Sequence, residues 1–224
     1  MKDKKHIVIF SHGHGVKKDD LGLLIDIAEK IPEAESVLFD YYDIDEENKA
    51  ITICPISEQV KKLENVISEV KEKNPNSVID LIGHSMGTLI PAIAKPEGIR
   101  KTILLAPVFD LSIEHTLKRY ASRPNAEINL EGMSRLPVLD GYVRFVPKEC
   151  WLERKNVKPF EAYNSFVEKT ELIIINANQD IILPKVDLGE LNTKIKLTSL
   201  DGDHSFNGKD RDLLLKTIRE IILD

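Results

Sequence analysis

The sequence predicts an α/β protein built on one mostly parallel sheet of about six strands with helices on both faces. Three observations carry this. Apolar, β-branched runs too short for helices recur along the chain; stretches with apolar residues at helical spacing lie between them; and several of the runs end in glycine or acidic turns. Buried strands alternating with helices imply right-handed crossovers. With 224 residues, 42% hydrophobic and 30% charged, and a formal net charge of -6, the chain is expected to form a single domain over residues 1–224, interrupted by an insertion at 109–166. No overall basic field is present to gather nucleic acid or an anionic membrane, so a small molecule is the expected partner. Oligomeric state is left open.

Taken in order, His6-Ile7-Val8-Ile9-Phe10 reads as a buried strand that breaks at Ser11-His12-Gly13-His14-Gly15. Leu21, Leu24, Ile25 and Ala28 place a helix over 20–30, stopped at Ile31-Pro32, and 36–42 reads as a second strand. The acidic run Asp43-Ile44-Asp45-Glu46-Glu47 reads as a solvated loop. A longer helix over 57–73 is expected to be capped by Ser57 and to bury Val60, Leu63, Val66, Ile67 and Val70, with Asn74-Pro75-Asn76 ending it. Val78 to Ile82 is the next strand, and further strands are expected at 101–108, 171–177 and 194–200, with a closing helix over 210–223. Pro91, a few residues into the helix after Gly87, removes a backbone donor and should distort it.

Between Phe109 and Phe166 the alternation stops. The segment holds Phe109, Tyr120, Tyr142, Phe145, Trp151, Phe160, Tyr163 and Phe166, the greater part of the aromatic residues of the chain. Turn signals stand at Arg123-Pro124-Asn125 and at Asp140-Gly141, the latter flanked by alternating residues that suggest a hairpin. Cys54 and Cys150 match no metal spacing, no run approaches the roughly 18 apolar residues of a membrane span, and Met1 to Lys5 leads into a strand rather than a signal peptide. A cytoplasmic protein with reduced thiols is expected.

One stretch carries chemistry. Val78-Ile79-Asp80-Leu81-Ile82 runs into Gly83-His84-Ser85-Met86-Gly87 and then becomes apolar at helical spacing. G-x-S-x-G between strand and helix is a nucleophile elbow, whose glycines let the two elements crowd so that a serine projects from a strained turn. Ser85 is the candidate nucleophile. A serine hydroxyl needs a base within hydrogen-bond reach and a group to orient that base. His204 lies in Asp201-Gly202-Asp203-His204-Ser205, a loop after the last strand, where a parallel sheet presents its C-terminal edge. Asp180 ends another strand on that edge and is the candidate acid, with Asp110 and Asp203 as rivals. The loop Ser11 to Gly15 and the N–H of Met86, at the start of a helix, are placed to stabilise a developing oxyanion. His12 and His14 lack the acidic or thiol partners that complete a metal site, so neither metal nor cofactor is expected.

Elbow, glycine loop, acid strand and histidine loop, in the order Ser85, Asp180, His204, resemble the α/β-hydrolase superfamily. The resemblance covers nearly the whole chain outside the insertion. It implies that His12-Gly13 is the oxyanion-loop H-G, that His14 donates its backbone N–H, and that the insertion is a cap over the active site. Cap position and aromatic content are similar to those of small cinnamoyl-type esterases. Two departures stand out: the family's first two antiparallel strands are missing from the sequence pattern, and Thr88 replaces a glycine common after the elbow. The implied function is a serine hydrolase cleaving a small-molecule carboxylic ester through an acyl-enzyme. Thioesterase, peptidase or acyltransferase chemistry would use the same residues, and a non-catalytic ligand receptor is the alternative of another class. Tyr142, Phe145 and Trp151 of the cap are expected to line a pocket for a bulky apolar or aromatic group.

Overall fold

The computed structural model describes residues 4–121, 123–138 and 140–224; the reading of the N-terminus rests in part on Met1 to Asp3, which lie outside them. Strand β1 (His6–Ser11) is followed by α1 (Leu23–Lys30) and β2 (Glu35–Leu38). Two short strands, β3 (Asp43–Asp45) and β4 (Ala50–Thr52), precede α2 (Ile56–Lys73) and β5 (Val78–His84). A 3₁₀ turn at Ser85–Thr88 leads into α3 (Leu89–Ala94), and β6 (Lys101–Leu105) follows. The insertion holds α4 (Ile113–Ala121), β7 (Ser134–Pro137), β8 (Val143–Val146), α5 (Lys148–Arg154) and α6 (Pro159–Phe166). The chain then completes its sheet with β9 (Glu171–Ala177) and β10 (Lys196–Leu200) and closes with α7 (Lys209–Leu223).

Six strands form the main sheet in the order β10-β9-β6-β5-β1-β2, with every adjacent pair parallel. Period-two alternation sends their side chains into two cores. Ile7, Ile9, Ile79, Leu81, Leu104, Leu172 and Ile174 pack on the side covered by α2, α3 and α6. Val8, Phe10, Ile82, Ile103, Leu105, Ile173 and Ile175 pack on the side covered by α1 and α7. Burial on both faces is why these strands read as continuous apolar runs. Asp80, a charge in the middle of β5, is fully buried and takes hydrogen bonds from Arg100 Nε at 2.9 Å and the Lys101 amide at 3.0 Å, with His6 Nε2 at 2.7 Å.

A second, four-stranded sheet runs β3-β4-β8-β7. It corrects the reading of the acidic run as a loop: Asp43–Asp45 is an edge strand in which Ile44 pairs with Ile51 and the two carboxylates stay exposed. The expected hairpin is present, with Gly141 at φ 85° in the turn between β7 and β8. β8 adds to β4 in parallel register, Ile51 opposite Arg144, and so fastens the insertion to the segment before α2. Ser57 does not cap α2: the helix begins one residue earlier after Pro55, and Ser57 donates from N and Oγ to the Glu153 carboxylate at 2.9 and 2.6 Å. Pro91 is the third residue of α3, in the first turn, where its missing N–H removes no bond within that helix. No helix of the described residues is long and apolar enough to cross a membrane.

Candidate active site

Ser85 stands at the C-terminal end of β5 with φ 52°, a left-handed conformation that costs a non-glycine residue about 1–2 kcal/mol. The flanking glycines make the turn possible. A Cβ at Gly83 would lie 2.5 Å from the Gly87 carbonyl oxygen, and one at Gly87 would lie 2.1 Å from that of Ser11. Thr88 supports the turn from below: its Oγ1 donates to the Ser85 carbonyl at 2.6 Å and lies 2.8 Å from Tyr163 Oη, whose hydroxyl donates to the Val108 carbonyl at 3.0 Å.

Three residues from separate strand ends meet in one line. His204 Nε2 is 2.9 Å from Ser85 Oγ, and His204 Nδ1 is 2.7 Å from Asp180 Oδ2. Asp180 Oδ1 is fixed in turn by the amides of Ile182 at 2.7 Å and Leu183 at 3.1 Å. A carboxylate accepts only, so Nδ1 carries the proton and Nε2 presents its lone pair to the serine hydroxyl. Burial favours the neutral ring and outweighs the pull of Asp180, holding the His204 pKa below 6.5. Asp180 is also displaced downward: burial works the other way, and the hydrogen bonds from His204, Leu183 and Ile182 prevail. The rival acids are occupied elsewhere. Asp110 binds the amide and hydroxyl of Ser112, and Asp203 accepts from Ser205 and Asn207.

A second imidazole–carboxylate pair lies directly behind. His84 Nδ1 is 2.8 Å from Asp20 Oδ2 and its Nε2 is 2.9 Å from the His204 carbonyl oxygen. Both partners are acceptors, so His84 donates from both nitrogens and is an imidazolium. Burial opposes that charge, and Asp20 overrides it and raises the pKa. Asp20 Oδ2 also receives the Gly13 amide at 2.7 Å. The pair thereby ties the glycine loop after β1 to the elbow and to the histidine loop. Sequence reading passed over both residues, because His84 looks like an incidental elbow neighbour and Asp20 like a helix-start acid; only the folded loop joins them.

The glycine loop lies against the nucleophile: a Cβ on Gly13 would be 3.3 Å from Ser85 Cβ. His12 is neutral, accepting the Tyr41 amide at Nε2 (2.9 Å) and donating from Nδ1 to the Gly13 carbonyl (2.9 Å), with burial lowering its pKa. Among the described residues no group of three or more His, Cys, Asp or Glu side chains is placed to hold a metal ion.

The family described as "Putative serine esterase (DUF676)" matches residues 1–105, from β1 through the elbow to the end of β6. Solved structures align over nearly the whole chain. Est1E from Butyrivibrio proteoclasticus is 17% identical with a TM-score of 0.69, covering 99% of this chain and 88% of its own. The esterase domain of a Rhodothermus marinus protein is 17% identical at TM-score 0.66, covering 99% and 88%. Esterase Pf2001 of Pyrococcus furiosus is 17% identical at TM-score 0.66, covering 99% and 81%. The chain has the α/β-hydrolase fold. No curated protein matches it.

On this α/β-hydrolase scaffold the insertion covers the Ser85 end of the sheet, and between them lies a cavity of about 410 Å³ that reaches Ser85 and His204. Its cap wall includes Arg119, Tyr120, Arg123, Val138 and Arg144, with Ile181 and Ile182 from the acid loop. Tyr142, Phe145 and Trp151, expected there, are not among its lining residues. Trp151 is 2% exposed in the core, its indole N–H donating to Ser134 Oγ at 3.1 Å. Tyr142 faces outward, its hydroxyl bound to Glu46 and its ring beneath Lys17 and Lys49. Phe145 falls between Arg144 and Val146 on β8, and alternation turns Arg144 toward the cavity and Phe145 to the opposite face.

Proposed function

We propose that the protein is a serine hydrolase that cleaves a small-molecule carboxylic ester through an acyl-enzyme. The observation that carries the reading is the Ser85–His204–Asp180 line, with the imidazole tautomer fixed by Asp180 and the serine hydroxyl within 2.9 Å of the free ring nitrogen. The serine esterase family match over residues 1–105 and the esterase neighbours support it.

In this reading His204 Nε2 takes the hydroxyl proton as Ser85 Oγ attacks the ester carbonyl carbon. The carbonyl π pair moves onto oxygen. That oxyanion is met by the N–H of His14, on the glycine loop beside Ser85, and by the N–H of Met86, in a first turn with no earlier acceptor in the helix. As the tetrahedral intermediate collapses, the C–O bond to the alcohol breaks and His204 returns the proton to that oxygen. Water, deprotonated by the same nitrogen, then attacks the acyl carbon, and collapse breaks the bond to Ser85 Oγ as His204 returns the proton to that oxygen, releasing the acid.

Two measurements test this. A fluorophosphonate probe should label the protein at Ser85, and a panel of activated esters and thioesters of graded acyl length should be turned over by the wild type and not by Ser85→Ala. Hydrolysis that survives in Ser85→Ala would reject the serine mechanism. Turnover confined to thioesters would reassign the substrate class.

A further inference from the structure

The part of the cavity wall contributed by the insertion carries three arginines, Arg119, Arg123 and Arg144, and one carboxylate, Asp140. Arg144 is spent: 4% exposed, it is paired with the Asp140 carboxylate and donates through Nε to the Gly15 carbonyl at 2.5 Å. Arg119 and Arg123 differ. Both line the cavity, their guanidinium carbons 5.8 and 4.8 Å from the Tyr120 ring centroid, and neither has a carboxylate within 4.0 Å among the described residues. Among the described residues the Arg123 guanidinium makes one hydrogen bond, to the Pro137 carbonyl at 3.1 Å. Among the described residues the Arg154 guanidinium donates to the Thr116 hydroxyl at 3.2 Å and lies over Trp151, again with no acid in ion-pair range. Burial, followed by the charges of Arg154, Arg119 and Arg144, holds His14 well below its ordinary pKa, so the cations converge on the loop beside the nucleophile. Of the acids of the cavity, Asp140 is paired with Arg144 and Asp20 with His84, while Asp203 keeps its charge, accepts hydrogen bonds from Ser205 and Asn207, and forms no ion pair with Arg119 or Arg123 among the described residues. Away from the insertion the pattern reverses, and Arg100, Arg211 and Arg219 are paired with Asp80, Asp26 and Glu33.

Guanidinium groups flanking an aromatic ring at the mouth of a small cavity, with no protein counter-ion, are built to receive an oxyanion, because arginine binds carboxylates in a planar fork and is weakly hydrated. We propose that Arg119 and Arg123 form a subsite for a carboxylate borne by the substrate, so that the favoured ester is the half-ester of a dicarboxylic acid or another small ester carrying an ionised carboxylate a few bonds from the scissile carbonyl. Arg154 adds long-range attraction. The inference rests on the ester-hydrolase reading above and narrows it from any small ester to an anionic one.

The test compares mono(4-nitrophenyl) glutarate with its methyl-capped neutral counterpart, which differ in charge and little in size. Wild-type protein should favour the free acid by about tenfold or more in kcat/KM at low ionic strength. That ratio should fall toward one in Arg119→Gln/Arg123→Gln, and it should shrink in about 0.5 M salt as the charges are screened. A wild-type ratio at or below one, or a ratio that persists in the double variant, overturns the proposal. Arg119→Gln alone, at an exposed position, should lower the ratio even if the double variant does not fold. Failure of the ester-hydrolase reading is separable: in Ser85→Ala, calorimetric binding of monomethyl glutarate in preference to dimethyl glutarate reports the subsite without turnover, and equal binding of the two contradicts it.

Discussion

Two histidine–aspartate pairs stand side by side in this molecule, with the rings of His204 and His84 5.0 Å apart, and they are in opposite states. His204 and Asp180 keep 14% and 12% of their side-chain surface; His84 and Asp20 keep 2% and 5%. The more buried histidine is the charged one. Burial disfavours the imidazolium in both, so the partners decide: His84 has an acceptor on each nitrogen, whereas His204 has an acceptor on one and a serine hydroxyl on the other. The charge on His84 also pushes down the pKa of His204. One pair is thus a clamp across three loops, and the other, kept neutral beside it, is free to take a proton.

Breaking the pairs one atom at a time should show the division. Ser85→Ala removes the group that uses the neutral base and should lower turnover by about 10⁵ to 10⁶ with thermal stability retained. Asp180→Asn should cost about 10³ to 10⁴ in kcat by holding His204 in the wrong tautomer, while Asp110→Asn, whose carboxylate binds Ser112, should stay near wild type. Equal losses in those two variants would dissolve the assignment of the acid. Asp20→Ala should act first on stability, by about 3–5 kcal/mol in urea unfolding, since it strands a buried imidazolium and the Gly13 amide. If Asp20→Ala instead melts like wild type, His84 is neutral and the clamp is not ionic.

The pH profile sharpens the same contrast with a smaller effect. Protonated His204 cannot accept the serine proton, and its pKa lies below 6.5, so activity should persist as pH falls past 6.5 and drop only at lower pH. An acid limb at or above 6.5 would mean that the ring is not desolvated as described.

Sequence alone carried the main sheet and the candidate site far, because both rest on local patterns with fixed consequences. Six apolar runs became six parallel strands, and loops at strand ends delivered Ser85, Asp180 and His204 to one edge. The clamp was not legible: Asp20 and His84 are 64 residues apart, and nothing local marks them as partners. Nor was the cap wall, since eight aromatics announce a core without saying which face of β8 meets the cavity. Trp151 illustrates the difference. Trp151→Ala should cost about 3–5 kcal/mol of stability and leave the ranking of ester substrates unchanged, as expected for a side chain packed away from the cavity.

The most direct test of the neutral base–nucleophile pair is mass spectrometry of protein quenched within the first turnover of an activated ester. The peptide containing Ser85 should gain the acyl mass in the wild type, and no peptide should gain it in Ser85→Ala. An acyl group on any other residue, or ester cleavage with no covalent adduct at an acidic quench, would contradict the acyl-enzyme and with it the role given to His204.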